Sequence, residues 1–338
     1  MRSVTLAGTT LETSRLGLGC ADLFRLPSRA QRRRLLDSAY EAGIRHFDVA
    51  PMYGLGAAER EVGAFAQQHR GGVVVATKFG IVPTPAARLV GVVQGPARRL
   101  MERRPELRRR LQSSAPGPGA GSAGGLLYSA EGYDAAAARR SLHRSLRELR
   151  VEAVDLFLLH DPAPGSVRSD DVCSYLGEAQ TAGQIVTWGI AGEAEPTVSV
   201  VESLPVSPPV IQMRDDIFGR ALERLPSGVR SARITFGAVG AAVGRIVGHV
   251  ASDARVRRSW HDAVGRDCGD PEVVAGLLLR LAARANPSGV VLFSSIRPER
   301  VRQAAAALGS DGTEDLQLFA ALVHEELQTS RPRVESTR

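Results

Sequence analysis

The stretch VVVATKFG, residues 73–80, decides how the chain is read. Three valines and an alanine lead through Thr77 to Lys78. The run is short, β-branched and apolar throughout, which fits a strand covered on both faces, as in a parallel sheet. Lys78 is the only lysine of the chain; every other cation among the 43 Lys and Arg residues is arginine. A merely solvated cation would be written Arg like the rest. A lysine at the end of an apolar strand therefore marks a position that needs a compact ammonium.

The same rhythm repeats on either side. Eight candidate strands follow in order: Arg15–Gly19, Ile44–Val49, Val73–Thr77, Ala153–Leu159, Ile185–Ile190, Pro209–Met213, Ala232–Phe236 and Gly289–Phe293. Helical patterns alternate with them over Ser28–Ala42, Ala57–His69, Ala135–Leu149, Asp170–Ala182, Glu195–Leu204, Asp216–Leu225, Pro271–Ala285 and Pro298–Leu308. The alternation predicts an α/β fold, a (β/α)8 TIM barrel, rather than an open sheet. LGLGCADL (16–23) is not GxGxxG, and no acidic residue is suitably placed after a second strand, so the fingerprint of an open dinucleotide-binding sheet is absent. SVTLAGTTLETSRLG (3–17) reads as a hairpin that could plug the barrel bottom.

The expected organisation is one barrel domain over residues 1–330, with a tail at 331–338. A long insertion, about 82–131, follows the third strand. Its first half, PARRLMERRPELRRRL (96–111), reads as a basic helix. Its second half, QSSAPGPGAGSAGG (112–125), has no means of burying a core and reads as a linker. Lying at the C-terminal face, the insertion is either a lid over a substrate or a tolerated surface excursion.

Composition narrows the class. Hydrophobic residues make up 43%, enough for a sizeable core. There is no apolar run of 18 residues and no leader-like h-region, so neither a membrane span nor a secretory signal is expected. Cys20, Cys173 and Cys268 are widely spaced without a CxxC, which argues against a disulfide framework or a metal site and for a cytoplasmic protein. The net charge of +7 is concentrated in residues 88–110, where eight arginines face two glutamates. The rest is close to neutral, so nucleic-acid binding is not expected, although the local patch could bind an anion.

In such barrels functional groups come from the C-terminal ends of strands. The second strand ends at Asp48, with Tyr53 in the next loop; the third ends at Lys78; the fourth ends at His160. Taken singly, Asp48 could be a helix cap, Tyr53 a loop aromatic and His160 a satisfied barrel-end histidine. Together they are equipment for protonating a carbonyl oxygen. An ammonium stabilises phenolate and lowers a tyrosine pKa from its free value of about 10, a carboxylate holds the ammonium, and a histidine orients the carbonyl.

On these residues the chain resembles the aldo-keto reductase family. The matching pieces are LGLGC (16–20), AGIRHFDVAPMYGLGAAEREVG (42–63), VVVATKFG, SLHRSLRELRVEAVDLFLLHDP (141–162), AGQIVTWGI (182–190) and SSIRPERV (294–301). They run in the family's order over nearly the whole chain and look most similar to its sugar-dehydrogenase-like branch. The resemblance implies a small-molecule carbonyl substrate and NADPH (NADP+) as cofactor, with NADH also open, and leaves the oligomeric state open. It makes Tyr53 the general acid and Asp48, Lys78 and His160 the rest of a catalytic tetrad.

The resemblance also implies cofactor residues. Ser295 and Arg300 match the positions that hold the 2′-phosphate, where the planar fork of arginine suits phosphate. Gln212 matches the partner of the nicotinamide carboxamide and Phe236 the ring stacked on nicotinamide. The backbone at Gly19 and Cys20 matches the reactive end, and Gly237, Val239 and Gly240 the loop passing the pyrophosphate. The chain departs from the family at Ala191 and Gly192, where Ser-Asn usually holds the carboxamide. It departs again at Ala304, where an adenine-contacting Asn is common, and at Gln303, which replaces an acid. The missing donors keep a second reading open, a sensor or partner subunit that binds NADPH without turnover.

Overall fold

The computed structural model describes residues 1–69, 71–84, 87, 127–226, 228–309 and 314–328. The chain opens with β1 (Ser3–Thr5) and β2 (Glu12–Ser14), an antiparallel pair with Ser3 opposite Ser14. Leu6 and Leu11, in the connecting turn, are buried against Val210, Ala232 and Val290 at the starts of three later strands. The hairpin thus plugs the N-terminal end of the barrel, as expected.

The barrel units follow: β3 (Leu16–Gly19), α1 (Arg29–Glu41), β4 (His46–Asp48), α2 (Ala58–Ala66) and β5 (Val74–Phe79). After β5 a short antiparallel pair, β6 (Ile81–Pro83) and β7 (Tyr128–Ala130), forms the neck of the insertion. Then come α3 (Ala135–Leu149), β8 (Val154–His160), α4 (Ser169–Thr181), β9 (Ile185–Gly192), α5 (Ala194–Ser203), β10 (Val210–Arg214) and β11 (Ala232–Phe236). The last elements are α6 (Gly240–Ala251), α7 (Ala254–Val264), α8 (Pro271–Ala285), β12 (Val290–Phe293), α9 (Pro298–Ala307) and α10 (Glu314–Val323). Eight strands close into one barrel in the order β3, β4, β5, β8, β9, β10, β11, β12, with β12 pairing back to β3. Every pairing in it is parallel, and all eight expected strands are present.

Local signals start the helices. Ser28 accepts from the amide of Gln31 while the Gln31 side chain accepts from the amide of Ser28, a capping box at α1. Asp134 accepts from the Ala137 amide at 2.7 Å to open α3. Each such cap stabilises its helix by about 1 kcal/mol. Strand alternation then sorts the core. Phe157 and Leu159 pack under the helices, whereas Leu156 and Leu158 join the interior layer with Ala76. The same period of two turns Asp48, Lys78 and His160 inward at the C-terminal rim.

Two expectations are corrected: the helix over 216–225, and residues 245–270, which carry no expected element and read as a loop. Asp216–Leu225 is not a helix; only a single 3-10 turn, Ala221–Arg224, forms there. The Asp216 carboxylate accepts from the Phe218 and Gly219 amides at 2.9 and 2.8 Å, an alternative to helical bonding, and Arg220 takes a left-handed φ of 45°. Residues 245–270 are not a loop but mostly α6 and α7. Glycines 240, 244 and 248 weaken the helix signal in α6, yet Ala242, Ile246 and Val250 at four-residue spacing bury one stripe. That stripe joins Trp260, Leu277 and Phe319 in a second core, to which the unanticipated α10 contributes. Trp260 is fully buried there, edge-on to Phe319, so it packs rather than lines a pocket.

The expected basic helix, linker and lid at 88–126, and the tail at 331–338, lie outside the described residues. The neck itself is tied to the barrel. Gly80 has φ +111°, and a Cβ on it would fall 2.1 Å from the Tyr133 ring. Only glycine lets the chain turn while Tyr133 passes beneath to donate its hydroxyl to the His160 carbonyl.

Candidate functional site

Four side chains meet at the rim. Lys78 Nζ lies 2.5 Å from Asp48 Oδ1, 3.1 Å from the Val49 carbonyl and 3.5 Å from the Tyr53 hydroxyl. Its three donors thus face three oxygens in different directions. A planar guanidinium would need a wider and flatter space, which accounts for the solitary lysine. Tyr53 opens the turn after β4, and the His160 ring stands edge-on to it, with centroids 6.0 Å apart. Lys78 is 1% exposed, Asp48 3% and His160 7%, so these three are nearly dry, while Tyr53 is half-buried.

Burial sets its electrostatics. Desolvation pushes the Tyr53 phenol up, and the Lys78 charge and hydrogen bond pull it back only in part; the net shift is upward. The expected lowering by the ammonium is therefore present but outweighed, and at neutral pH Tyr53 holds its proton. Desolvation alone would lower Lys78, but Asp48 and Tyr53 outweigh it and the ammonium is held above its usual value. Burial, aided by repulsion from Lys78, takes His160 down to about 3, so its imidazole is neutral. His160 Nδ1 and Asp48 Oδ2 have no hydrogen-bond partner among the described residues, and His160 Nε2 lies 3.7 Å from Asp161 Oδ2.

Beside the cluster a cleft of about 550 Å³ runs between β11, β12, α6, α8 and α9. Phe236, Gly237, Val239, Gly240, Ser295 and Arg300 all line it. Gly19, Cys20 and Gln212 lie off the cleft. Gly19 pairs with Asp48 across β3 and β4, and the Cys20 amide donates to the Asp48 carbonyl at 2.8 Å. The Cys20 side chain is buried and its thiol pKa raised by desolvation, so its backbone is what it can offer the site. Gln212 is 3% exposed with Oε1 unpartnered among the described residues, an amide available to a ligand's N–H. Ala191 pairs with Gln212 across β9 and β10, so the neighbouring strand adds no side-chain donor. Ala304 is a buried wall of the cleft, and Gln303 is engaged with Glu272 at 2.7 Å.

An aromatic face, a glycine-containing loop and a Ser/Arg pair around one cleft fit a nicotinamide dinucleotide, with Gln212 the group left to be satisfied. Three residues escaped the sequence reading. Asp22 and Arg214 line the cleft as well. Arg214 carried a signal, since it stands two residues after Gln212 on one strand and so shares its face. Tyr133 carried none, because its link to His160 is purely tertiary.

The class defined by this fold and rim is a (β/α)8 barrel with its polar groups on the strand ends. The model of the Aldo/keto reductase family matches residues 15–223, more than half of the chain. The chain belongs to the aldo/keto reductase family. Among similar proteins, D-threo-aldose 1-dehydrogenase of Pseudomonas sp is 32% identical over 162 residues, 46% of this chain and 42% of that protein. Pyridoxal 4-dehydrogenase of Microbacterium luteolum is 40% identical over 82 residues, 23% and 24% of the two chains. The match thus spans less than half the length of these curated relatives. In fold, the glycerol dehydrogenase of Gluconobacter oxydans superposes with a TM-score of 0.68 at 17% identity, over 99% of this chain and 98% of that one. The holo form of an aldo-keto reductase from Bacillus halodurans gives 0.65 at 16% identity, over 95% and 96%. No helix among the described residues is long and apolar enough to cross a membrane.

Proposed function

We propose that the protein is a nicotinamide-dependent oxidoreductase that interconverts a small carbonyl compound and its alcohol, with NADPH as the preferred cofactor. The observation that carries this is the buried Lys78 ammonium set between the Asp48 carboxylate and the Tyr53 hydroxyl. Bound in the cleft, the cofactor would supply the hydride that reaches the carbonyl carbon. Phe236 would hold the nicotinamide face, Gln212 its carboxamide, the Gly237–Gly240 backbone the pyrophosphate, and Ser295 with Arg300 the 2′-phosphate.

The chain's own groups manage the proton. Tyr53 is protonated at neutral pH and donates to the carbonyl oxygen as negative charge grows there. Lys78 stabilises the phenolate left behind, and Asp48 keeps the ammonium in place. His160, being neutral, directs one N–H to the same oxygen without competing to lose a proton. In the reverse direction Tyr53 phenolate takes the alcohol proton.

The relatives named for an aldose and for pyridoxal make aldoses and aromatic aldehydes the first substrates to try. The test follows NADPH absorbance with such a panel, beside Tyr53→Phe. Turnover should fall by roughly 100-fold or more while NADPH binding is retained. Unchanged turnover in Tyr53→Phe would remove the assigned role. NADPH binding with no turnover on any carbonyl would instead support the sensor reading, which the missing side-chain donors at Ala191 and Gly192 favour.

A further inference from the structure

Arg214 is a rim cation that the proton chemistry does not use. It ends β10 and its side chain reaches across the top of β11. The guanidinium carbon lies 5.1 Å from the centroid of the Phe236 ring. A Cβ on Gly237 would fall 2.7 Å from Arg214 Nη1, so the guanidinium rests directly on the backbone where the Gly237–Gly240 loop begins. That glycine has φ +89°, and the loop runs along the wall of the cleft. On its outer side, Arg214 Nε lies 2.9 Å from both carboxylate oxygens of Glu193.

The geometry points to Arg214 as an exchangeable clamp that trades Glu193 for the pyrophosphate of the dinucleotide. This rests on the reading of the cleft as a dinucleotide site. Magnitudes favour the exchange. The side chains of Arg214 and Glu193 are 47% and 57% exposed, and an ion pair in that setting is weak and easily broken. A pyrophosphate offers two anionic groups and several acceptor oxygens to a guanidinium with five donors, a stronger and more directional partner than one solvated carboxylate. Contact with Phe236 and Gly237 pre-positions the cation at the cleft, so little ordering is needed on exchange. Glu193 then acts as a competitor that keeps the latch closed until a polyanion arrives. Because the pyrophosphate is common to NADPH and NADH, Arg214 supplies affinity for either, and the choice between them falls to Ser295 and Arg300. The clamp also offsets the donors absent at Ala191 and Gly192 on the adjoining strand.

The test is calorimetric titration of the full chain and of Arg214→Met, Arg214→Lys and Glu193→Gln with NADP+, ADP-ribose and 2′-AMP. NADP+ and ADP-ribose carry the pyrophosphate; 2′-AMP carries only the 2′-phosphate. Arg214→Met should weaken NADP+ and ADP-ribose about tenfold or more and leave 2′-AMP unchanged. Arg214→Lys should fall between, and Glu193→Gln should tighten NADP+ a few-fold. Equal affinities in all variants beside a binding wild type would overturn the clamp while leaving the dinucleotide reading intact. Tighter NADP+ binding in Arg214→Met would show a mere obstruction and overturn it too. A wild type that binds none of the three would overturn both. Should Arg214→Met fail to fold, the sign of the Glu193→Gln change decides alone.

Discussion

The two halves of the barrel mouth are built in opposite ways. On the side of β4 and β5, the Lys78–Asp48 pair is almost wholly buried, with side chains 1% and 4% exposed. On the side of β10 to β12, charges stand at the edge of an open cleft; the side chain of Arg214 is 47% exposed. Under the proposed function, the difference follows from what each half would do. Proton transfer gains from fixed dipoles in a dry site, where an interaction is worth far more than in water. A large dinucleotide would have to enter and leave, so its contacts would be solvated, exchangeable and individually modest.

The largest expected effect breaks the dry half. Lys78→Met leaves the Asp48 carboxylate buried without its partner and should destabilise the fold by roughly 3–5 kcal/mol, with turnover falling at least about 100-fold. Lys78→Arg keeps the charge and should keep the fold yet lose most of the activity. Urea unfolding and turnover measured together separate the two; wild-type turnover in Lys78→Arg would contradict the fit of a compact ammonium.

The next effect is pH dependence, which also belongs to the dry half. His160 and His46 are held down to about 3 and about 4 by burial, well below an unfolded value of about 6.5. Below that unfolded value the unfolded chain takes up protons that the folded chain refuses, so stability is full above pH ~6.5 and lost on acidification toward the folded values. Chemical unfolding at pH 7.5 and pH 5 should show the loss, and salt should alter it little because the groups are buried. Turnover in the reducing direction should show no inflection between pH 6 and 9. Neither His160 nor Tyr53 titrates there, the first being lowered and the second raised. A mid-range inflection tracking either residue would contradict the dry cluster.

The smallest effect probes the open half. Arg300→Met should weaken NADPH binding by about tenfold, with little change for NADH and none in thermal stability. Equal loss for both cofactors would move the 2′-phosphate contact elsewhere.

Legibility followed the same division. The strand ends that carry Asp48, Lys78 and His160 were readable because an apolar run ending in one polar residue is a local pattern. The six cleft residues came instead from a resemblance of short motifs. Arg214 is marked in the sequence only by sharing a face with Gln212; its role depends on Gly237 and Glu193, which lie on other elements. The α6–α7 segment shows no clear element in the sequence because glycines hide a helix whose support comes from packing against α8 and α10. The Asp216 turn was misread as a helix because a side-chain carboxylate captured the amides that a helix would have used.

By itself the sequence determined the alternation of strands and helices, the barrel it closes into, the plugging hairpin and the identity of the buried lysine. These rest on periodicity and residue type, which are properties of neighbours along the chain. Tertiary structure alone decided the balance of the tyrosine pKa, the neutral state of His160, the tie from Tyr133 to the end of β8 and the place of Arg214. Each of these is a contest between burial and contacts from distant parts of the chain, and its outcome depends on distances that only folding sets.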